Sequence, residues 1–276
     1  MKHTILIFSQ AMELGGVERS LLGLLDAIDY DRYDVDLFLM RHSGELMPYL
    51  NPKAKLLPEI PQYASLAVPM ASLVKSGQLG VLCGRLKGKL AARRFDKQHP
   101  SDKPSVTALT YSHKYTLNSM PLISGKTYDL AISFLTPHYF ARDRVKAKRY
   151  AAWIHTDYTA WRELNEWTRA VTKNDAKLYR RFDTIVCLNK SLREKFLTVY
   201  PQFAEKTIAV PNAVFRAEIR ERAKAPLTVP VDERVCNLIT IGRLEREKRY
   251  DRLLDIAAEL KKRGVAFRWY FTGSGP

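Results

Sequence analysis

Cysteine is scarce in this sequence: Cys83, Cys187 and Cys236 lie far apart, in no Cys-x-x-Cys or Cys/His spacing. That excludes a disulfide scaffold and a structural metal centre, and each thiol is expected to be buried and reduced. Long apolar runs are missing too. Leu66 to Leu86 comes nearest, but Pro69, Lys75, Gly77, Gln78 and Arg85 interrupt it, well short of the roughly 18 apolar residues of a membrane span. One Lys precedes the apolar Thr4–Phe8, with no small-residue cleavage site, so a cytosolic protein is expected. The Gly-x-Gly-x-x-Gly turn of dinucleotide-binding folds does not occur, which argues against a nicotinamide or flavin enzyme. Acidic residues are in deficit: 29 Asp plus Glu against 45 Lys plus Arg leave a net charge of +16. Such a field draws phosphates, anionic lipids and nucleic acids. The basic residues are dispersed and form no recognisable nucleic-acid module, so nucleic acid ranks last of the three.

What is present is an alternation. At 276 residues and 46% hydrophobic content, the chain can bury at least one sizeable core, and its length suggests about two domains. Short apolar runs follow turn residues and precede helical periodicity, the pattern of α/β units around a parallel sheet. Thr4–Phe8 reads as a strand, Ser9–Gly16 as a loop, and Val17, Leu21, Leu24 and Ile28 as one face of a helix. Val35–Met40, Asp129–Phe134, Tyr150–Ile154, Thr184–Leu188 and Thr207–Val210 read as further strands. A second unit opens near Val235, with strand Leu238–Ile241, a charged loop, Leu253, Leu254, Ala257 and Leu260 on a helix face, then strand Phe267–Phe271. Val210-Pro211-Asn212-Ala213-Val214 and a charged stretch to Pro230 separate the two. The expected domains are therefore 1–212 and 213–276.

Residues 75–97 depart from this pattern. Leu79, Leu82, Leu86 and Leu90 share a helix face flanked by Arg85, Lys87, Lys89 and Arg94, which suits a helix lying on a membrane surface. Gly77, Gly80, Gly84 and Gly88 each weaken a helix by about 1 kcal/mol relative to Ala, and Arg93 falls in the continuation of the stripe. A mobile basic excursion over about 66–105 fits equally well.

Three groups of residues carry chemistry. Gly15 and Gly16 stand where the first loop meets the first helix; free backbone N–H groups and the helix dipole favour an anion there, and glycine lets it approach. A tight turn would need glycine as well. Gly242-Arg243-Leu244-Glu245-Arg246-Glu247-Lys248 follows the first strand of the second unit, at the edge where open α/β sheets bind ligands. Arg243 offers a planar fork of donors and Lys248 a mobile charge for phosphate oxygens, while a solvated charged loop is the competing reading. His155, in Trp153-Ile154-His155-Thr156-Asp157, sits at another strand end, where it can donate a hydrogen bond to a substrate or serve structurally. Asp157 is either a base or the cap of the next helix.

In this order and spacing the sequence resembles the retaining GT-B glycosyltransferases known as glycosyltransferase family 4, or glycosyl transferases group 1. The resemblance rests on Gly15-Gly16-Val17-Glu18, Trp153-Ile154-His155, Val210–Val214, Gly242-Arg243 through Lys248, Asp251–Leu254 and Gly273-Ser274-Gly275-Pro276, and spans nearly the whole chain. It implies an α/β, GT-B-type fold of two Rossmann-like domains facing a cleft. The N-terminal one would choose a polysaccharide or glycolipid acceptor, and the C-terminal one would hold the nucleotide sugar. It implies retaining, metal-independent transfer without a cofactor, in cell-surface glycan synthesis at the inner face of the membrane. Arg243 and Lys248 would grip the donor diphosphate together with Gly15 and Gly16, His155 would contact the transferred sugar, and Gly273 and Gly275 would form a donor-proximal loop. Arg249 stands where the family has glycine, and Phe215 where an Asp is common. The paired glutamates of the family would fall beyond Pro276, so the second domain is expected to be incomplete. The alternative is a non-catalytic, membrane-associated or partner-binding remnant of such an enzyme.

Overall fold

The structure, a computed structural model, describes residues 2–99, 106–157, 159, 166–214, 216–227, 229–242, 244, 248–273 and 275. The chain divides into two compact units, Met1–Ala217 and Glu218–Pro276.

The first unit is built on a seven-stranded sheet, paired in parallel throughout, in the order β3-β2-β1-β4-β5-β6-β7. Its strands are β1 His3–Ser9, β2 Tyr33–Leu39, β3 Lys55–Leu56, β4 Thr127–Ser133, β5 Lys146–Ile154, β6 Thr184–Cys187 and β7 Thr207–Ala209. The apolar runs read from the sequence all became strands; the two-residue β3 is too short to carry a pattern. Side chains alternate across the sheet, and both faces are covered, as a parallel sheet requires. Ile7, Leu37, Leu39, Ile132 and Trp153 pack with Leu21, Leu22 and Leu25 of α1 (Gly16–Ala27). Leu6, Phe8, Phe38 and Ala131 pack with Tyr63 of α2 (Pro61–Ala64), Leu73 of α3 (Met70–Lys75) and Val81 of α4 (Leu79–Gln98). Further along the sheet, Ala152, Ile154 and Cys187 meet Tyr179 of α7 (Glu166–Tyr179) and Phe196 of α8 (Lys190–Val199). The first unit also holds α5 (Val106–Thr116) and α6 (His138–Asp143). Asp36, buried within β2, is compensated by Lys126 Nζ at 2.8 Å and the Tyr128 hydroxyl at 2.7 Å, since an unpaired buried charge would be strongly destabilising.

The basic excursion is an ordered helix, but the face it buries is not the leucine stripe. Val81, Gly84, Gly88, Ala92 and Phe95 are its buried residues, whereas Leu79, Leu86 and Leu90 are 60%, 45% and 64% exposed and Leu82 is half-buried. The glycines determine this. A Cβ on Gly84 would lie 2.8 Å from Tyr115 O and Thr116 Cα, and one on Gly88 2.7 Å from Ser112 N. Backbone of α5 occupies the space where side chains would be, so the loss of helix propensity at these glycines is offset by close helix packing. Residues 100–105, the end of the excursion expected from the sequence, fall outside the described residues.

The thiol expectation needs correction for the same reason. Cys83 is exposed because it shares the outward face of α4, and Cys236 is exposed at the start of the Cys236–Ile241 strand; only Cys187 is buried, and burial pushes its thiol up to about 11.

The second unit comprises α9 (Arg216–Arg222, which begins at the junction), β8 (Cys236–Ile241), α10 (Tyr250–Lys262) and β9 (Phe267–Thr272). The strands pair in parallel, so β8-α10-β9 is one βαβ unit. No described residue here is fully buried: Ile241 is 76% and Leu254 71% exposed, while Leu253, Ala257 and Leu260 are half-buried.

Candidate functional site

The first unit reverses its strand order between β1 and β4, so the loops leaving these neighbours diverge and open a crevice at their carboxyl ends. The β1 loop is fixed by its backbone: Met12 N–H donates to Ser43 O at 2.9 Å, Leu46 N–H to Met12 O at 2.8 Å, and Arg41 N–H to Gln10 O at 2.9 Å. Gly44, with φ +114°, lies against the Met12 backbone and leaves no room for a Cβ. Across the crevice, Gln10 Nε2 donates to Thr136 O; on the β2 side of β1, Arg41 pairs with Glu13 at 2.9 Å.

At the end of that loop α1 begins with Gly15 as an extended N-cap (φ −152°, ψ 162°) lacking any side-chain capping bond. The first N–H groups of α1 are those an anion would use, and the Glu18 carboxylate already accepts one of them, its own backbone N–H. The Glu18 carboxylate folds back over Gly15, 2.1 Å from where a Cβ would stand, and burial raises its pKa. Over Gly16 there is open space, with nothing within 4 Å of a Cβ built there.

His155 follows β5. Its ring meets Phe134 edge-on at 4.8 Å, and Nε2 lies 2.9 Å from the Phe134 carbonyl oxygen. A carbonyl only accepts, so Nε2 carries the proton. Burial pushes the ring down to about 4, so it is neutral at physiological pH. Donation to a substrate, expected from the sequence, is thereby reversed: the remaining Nδ1 is an acceptor, and a ligand hydroxyl would donate to it. Phe134 in turn donates its N–H to Phe8 O at 2.9 Å. Gly15 and Gly16 thus follow β1 and His155 follows β5, the two strands that flank β4. Asp157 resolves toward the capping role: Oδ1 accepts the Thr159 N–H at 2.9 Å and its hydroxyl at 2.6 Å, and Oδ2 pairs with Lys195 at 2.6 Å.

Several groups at this edge escaped the sequence reading. His138 is buried, with Nδ1 2.7 Å from Ser133 Oγ, and desolvation lowers it to about 3. An open cleft beside the β1 and β2 loops is lined by Gln10, Arg41, Tyr63, Leu66, Leu109 and His113; burial, then the Arg85 charge, lowers His113 to about 4. A second cleft, lined by Phe95, Tyr111, Lys114, Tyr139, Asn174 and Asp175, holds a carboxyl that burial pushes up to about 7. Histidines and an aspartate scattered through helical segments give no periodic signal.

These shifts make a prediction. An unfolded His titrates near its ordinary 6.5, while folded His113, His138 and His155 stay neutral down to about 4, 3 and 4. Between those limits the unfolded chain binds more protons, so stability is full above pH 6.5 and falls as pH drops toward 4. Asp175, ordinarily 3.8 and raised to about 7, opposes this over most of the window. Three groups outweigh one, and urea denaturation should show a net loss on the order of 2–4 kcal/mol from pH 7 to pH 5. A flat profile would show that the histidines are not held neutral.

In the second unit, Gly242 follows β8, its N–H donates to Thr272 O at 3.0 Å and its carbonyl accepts from Tyr250 Oη at 2.8 Å. Lys248 is exposed. Arg243 lies outside the described residues, as do 245–247. Gly275 packs on the same loop, a Cβ there falling 2.4 Å from Leu244 O, and Gly273 has φ +153°. The loops after β8 and β9 therefore meet. Arg249, standing where the resembled family has glycine, adopts left-handed backbone (φ 53°, ψ 44°) and pairs with Asp251 at 2.8 Å.

Among the described residues no cluster of His, Cys, Asp or Glu could hold a metal ion, and no helix is long and apolar enough to cross a membrane. No family model matches the sequence, and no curated protein matches it. Solved structures do. The chain is similar to Anabaena Alr3699/HepE in complex with UDP and glucose, with TM-score 0.51 and 13% identity, covering 99% of this chain and 61% of that one. It is also similar to a glycosyltransferase from Rickettsia africae (TM-score 0.47, 13% identity, 98% and 68%) and to the lipopolysaccharide outer core galactosyltransferase WaaB (0.46, 14%, 100% and 61%). The chain spans about three-fifths of the HepE chain. With that match and the parallel seven-stranded sheet, the chain has an α/β fold of GT-B type.

Proposed function

We propose that this chain belongs to a retaining glycosyltransferase of family 4, which transfers a sugar from a nucleotide-sugar donor to a glycan or lipid-linked acceptor without a metal ion. One observation carries the reading: Gly16, at the first turn of α1 and at the switch point of the sheet, has open space above it and no neighbour among the described residues that demands glycine. A ligand that must reach the backbone N–H groups would demand it, and a diphosphate is such a ligand. That HepE was solved with UDP and glucose is in keeping with this.

In this reading the bond between the anomeric carbon and the diphosphate breaks, an acceptor hydroxyl oxygen bonds to that carbon on the same face, and the hydroxyl proton passes to the leaving diphosphate oxygen. Arg243 and Lys248 counter the charge that develops on the leaving diphosphate, Gly15 and Gly16 contribute N–H donors, and Gly273 and Gly275 shape the loop beside the donor. His155 accepts a hydroxyl of the transferred sugar through Nδ1. A lipid-linked acceptor would place the protein peripherally at the inner face of the cell membrane, in keeping with its +16 charge.

The test is release of nucleotide diphosphate from a panel of UDP- and GDP-sugars, with the anomeric configuration of the product read by NMR. Retention is expected. His155→Gln, which loses the Nδ1 acceptor, should lower kcat about a hundredfold while affinity for the bare nucleotide diphosphate stays unchanged. An inverted product would contradict retention; donor binding without turnover would favour the partner-binding alternative.

A further inference from the structure

We propose that the outward face of α4 is the surface by which this protein lies on an anionic lipid bilayer. The inference deepens the membrane placement above and does not depend on the donor chemistry. Leu79, Cys83, Leu86 and Leu90 follow one another at i, i+4, i+7 and i+11, one continuous helical stripe. All four are exposed. The helix cannot roll to bury them, because Gly84 and Gly88 on the opposite side hold the α5 backbone where any Cβ would collide. Its orientation is therefore fixed by one face, and among the described residues the stripe is left without a partner.

Charge complementarity names the partner. Lys75, Lys87, Lys89, Arg93, Arg94 and Lys97 are all exposed around or at the end of the stripe, and none is ion-paired among the described residues. Asp96 is the only carboxylate between residues 75 and 98. Arg85 is turned inward, its Nη1 donating to Ser65 O at 3.1 Å and Val68 O at 2.6 Å. A helix of 20 residues, about 30 Å long, that is not apolar enough to span a bilayer but presents leucines between cations, has the form of an interfacial helix. Its apolar stripe enters the headgroup boundary and its basic rims meet anionic lipid. A polyanion in solution would use the cations alone and leave the leucines idle.

The experiment is co-sedimentation with phosphatidylcholine vesicles, either pure or carrying about a third phosphatidylglycerol. The wild-type chain should partition onto the anionic vesicles only. Leu86→Gln with Leu90→Gln, and separately Lys87→Glu with Arg94→Glu, should each weaken partitioning at least about tenfold, with circular dichroism unchanged. UDP binding is measured on the same variants and should not change, so failure here is distinguishable from failure of the donor reading. As a second readout, an environment-sensitive fluorophore on Cys83, in a Cys236→Ser background, should shift to the blue on anionic vesicles. Equal binding to neutral vesicles, wild-type partitioning by the leucine variant, or no shift at Cys83 would overturn the proposal. So would tighter binding to a mixed-sequence DNA duplex that is lost on charge reversal and indifferent to the leucines.

Discussion

Gly16→Ala should leave the N-terminal unit as stable as the parent, or slightly more so, while lowering sugar transfer at least about a hundredfold. The two halves of this expectation come from different physics. Gly16 has no left-handed backbone, and a Cβ there meets nothing within 4 Å. Alanine is thus compatible with the native conformation and restricts the unfolded chain, which stabilises by about 0.4–1 kcal/mol. The same methyl stands where a phosphate oxygen would have to approach the first N–H groups of α1. Gly23→Ala provides the contrast on the same helix. A Cβ at Gly23 would lie 2.1 Å from the backbone oxygen of Ala213, forcing the Val210–Val214 segment off α1 at a cost of about 1–3 kcal/mol. One glycine should prove necessary for transfer and the other for folding, as separated by thermal melts and turnover on the two variants. A Gly16→Ala protein with unimpaired turnover would remove the phosphate role from α1.

Lys248→Ala should be equally silent in folding and of comparable or larger effect on transfer, about a hundred- to a thousandfold. The side chain is exposed, and its stem passes Gly242, 3.9 Å from a Cβ built there. Substitution of such a surface side chain stays within about 0.5 kcal/mol. It stands at the carboxyl end of β8, where the β9 loop closes through Gly275 onto Leu244, so its charge is available to a ligand at that edge. Lys248→Arg should recover part of the loss, since charge is kept while the compact ammonium is not. A Lys248→Ala enzyme with parental kcat and KM would mean that the loop is only a solvated charged segment.

Much of the fold was legible because buried parallel strands read as continuous apolar runs, and β1, β2, β4, β5 and β6 are all of that kind. What escaped depended on contacts that periodicity does not encode. The leucines of α4 have the spacing of a buried face, yet close approach of α5 at Gly84 and Gly88 decides which side is covered. That inversion also exposes Cys83. His155 was visible as a strand-end residue, but the Phe134 carbonyl that fixes its tautomer lies 21 residues away in sequence. His138 and Asp175 owe their shifted protonation to burial alone or nearly so, which follows from tertiary packing. Arg249 runs the other way. The resemblance had marked it as a departure from glycine, and its left-handed backbone shows why glycine suits that place.

Binding of the donor is the central claim, and the direct measurement is calorimetric titration of UDP, GDP and their sugars into this chain, beside the Lys248→Ala variant. The account predicts saturable binding of one nucleotide class, with affinity falling at least about tenfold in the variant. No binding of any nucleotide, or binding that Lys248→Ala leaves untouched, would contradict it.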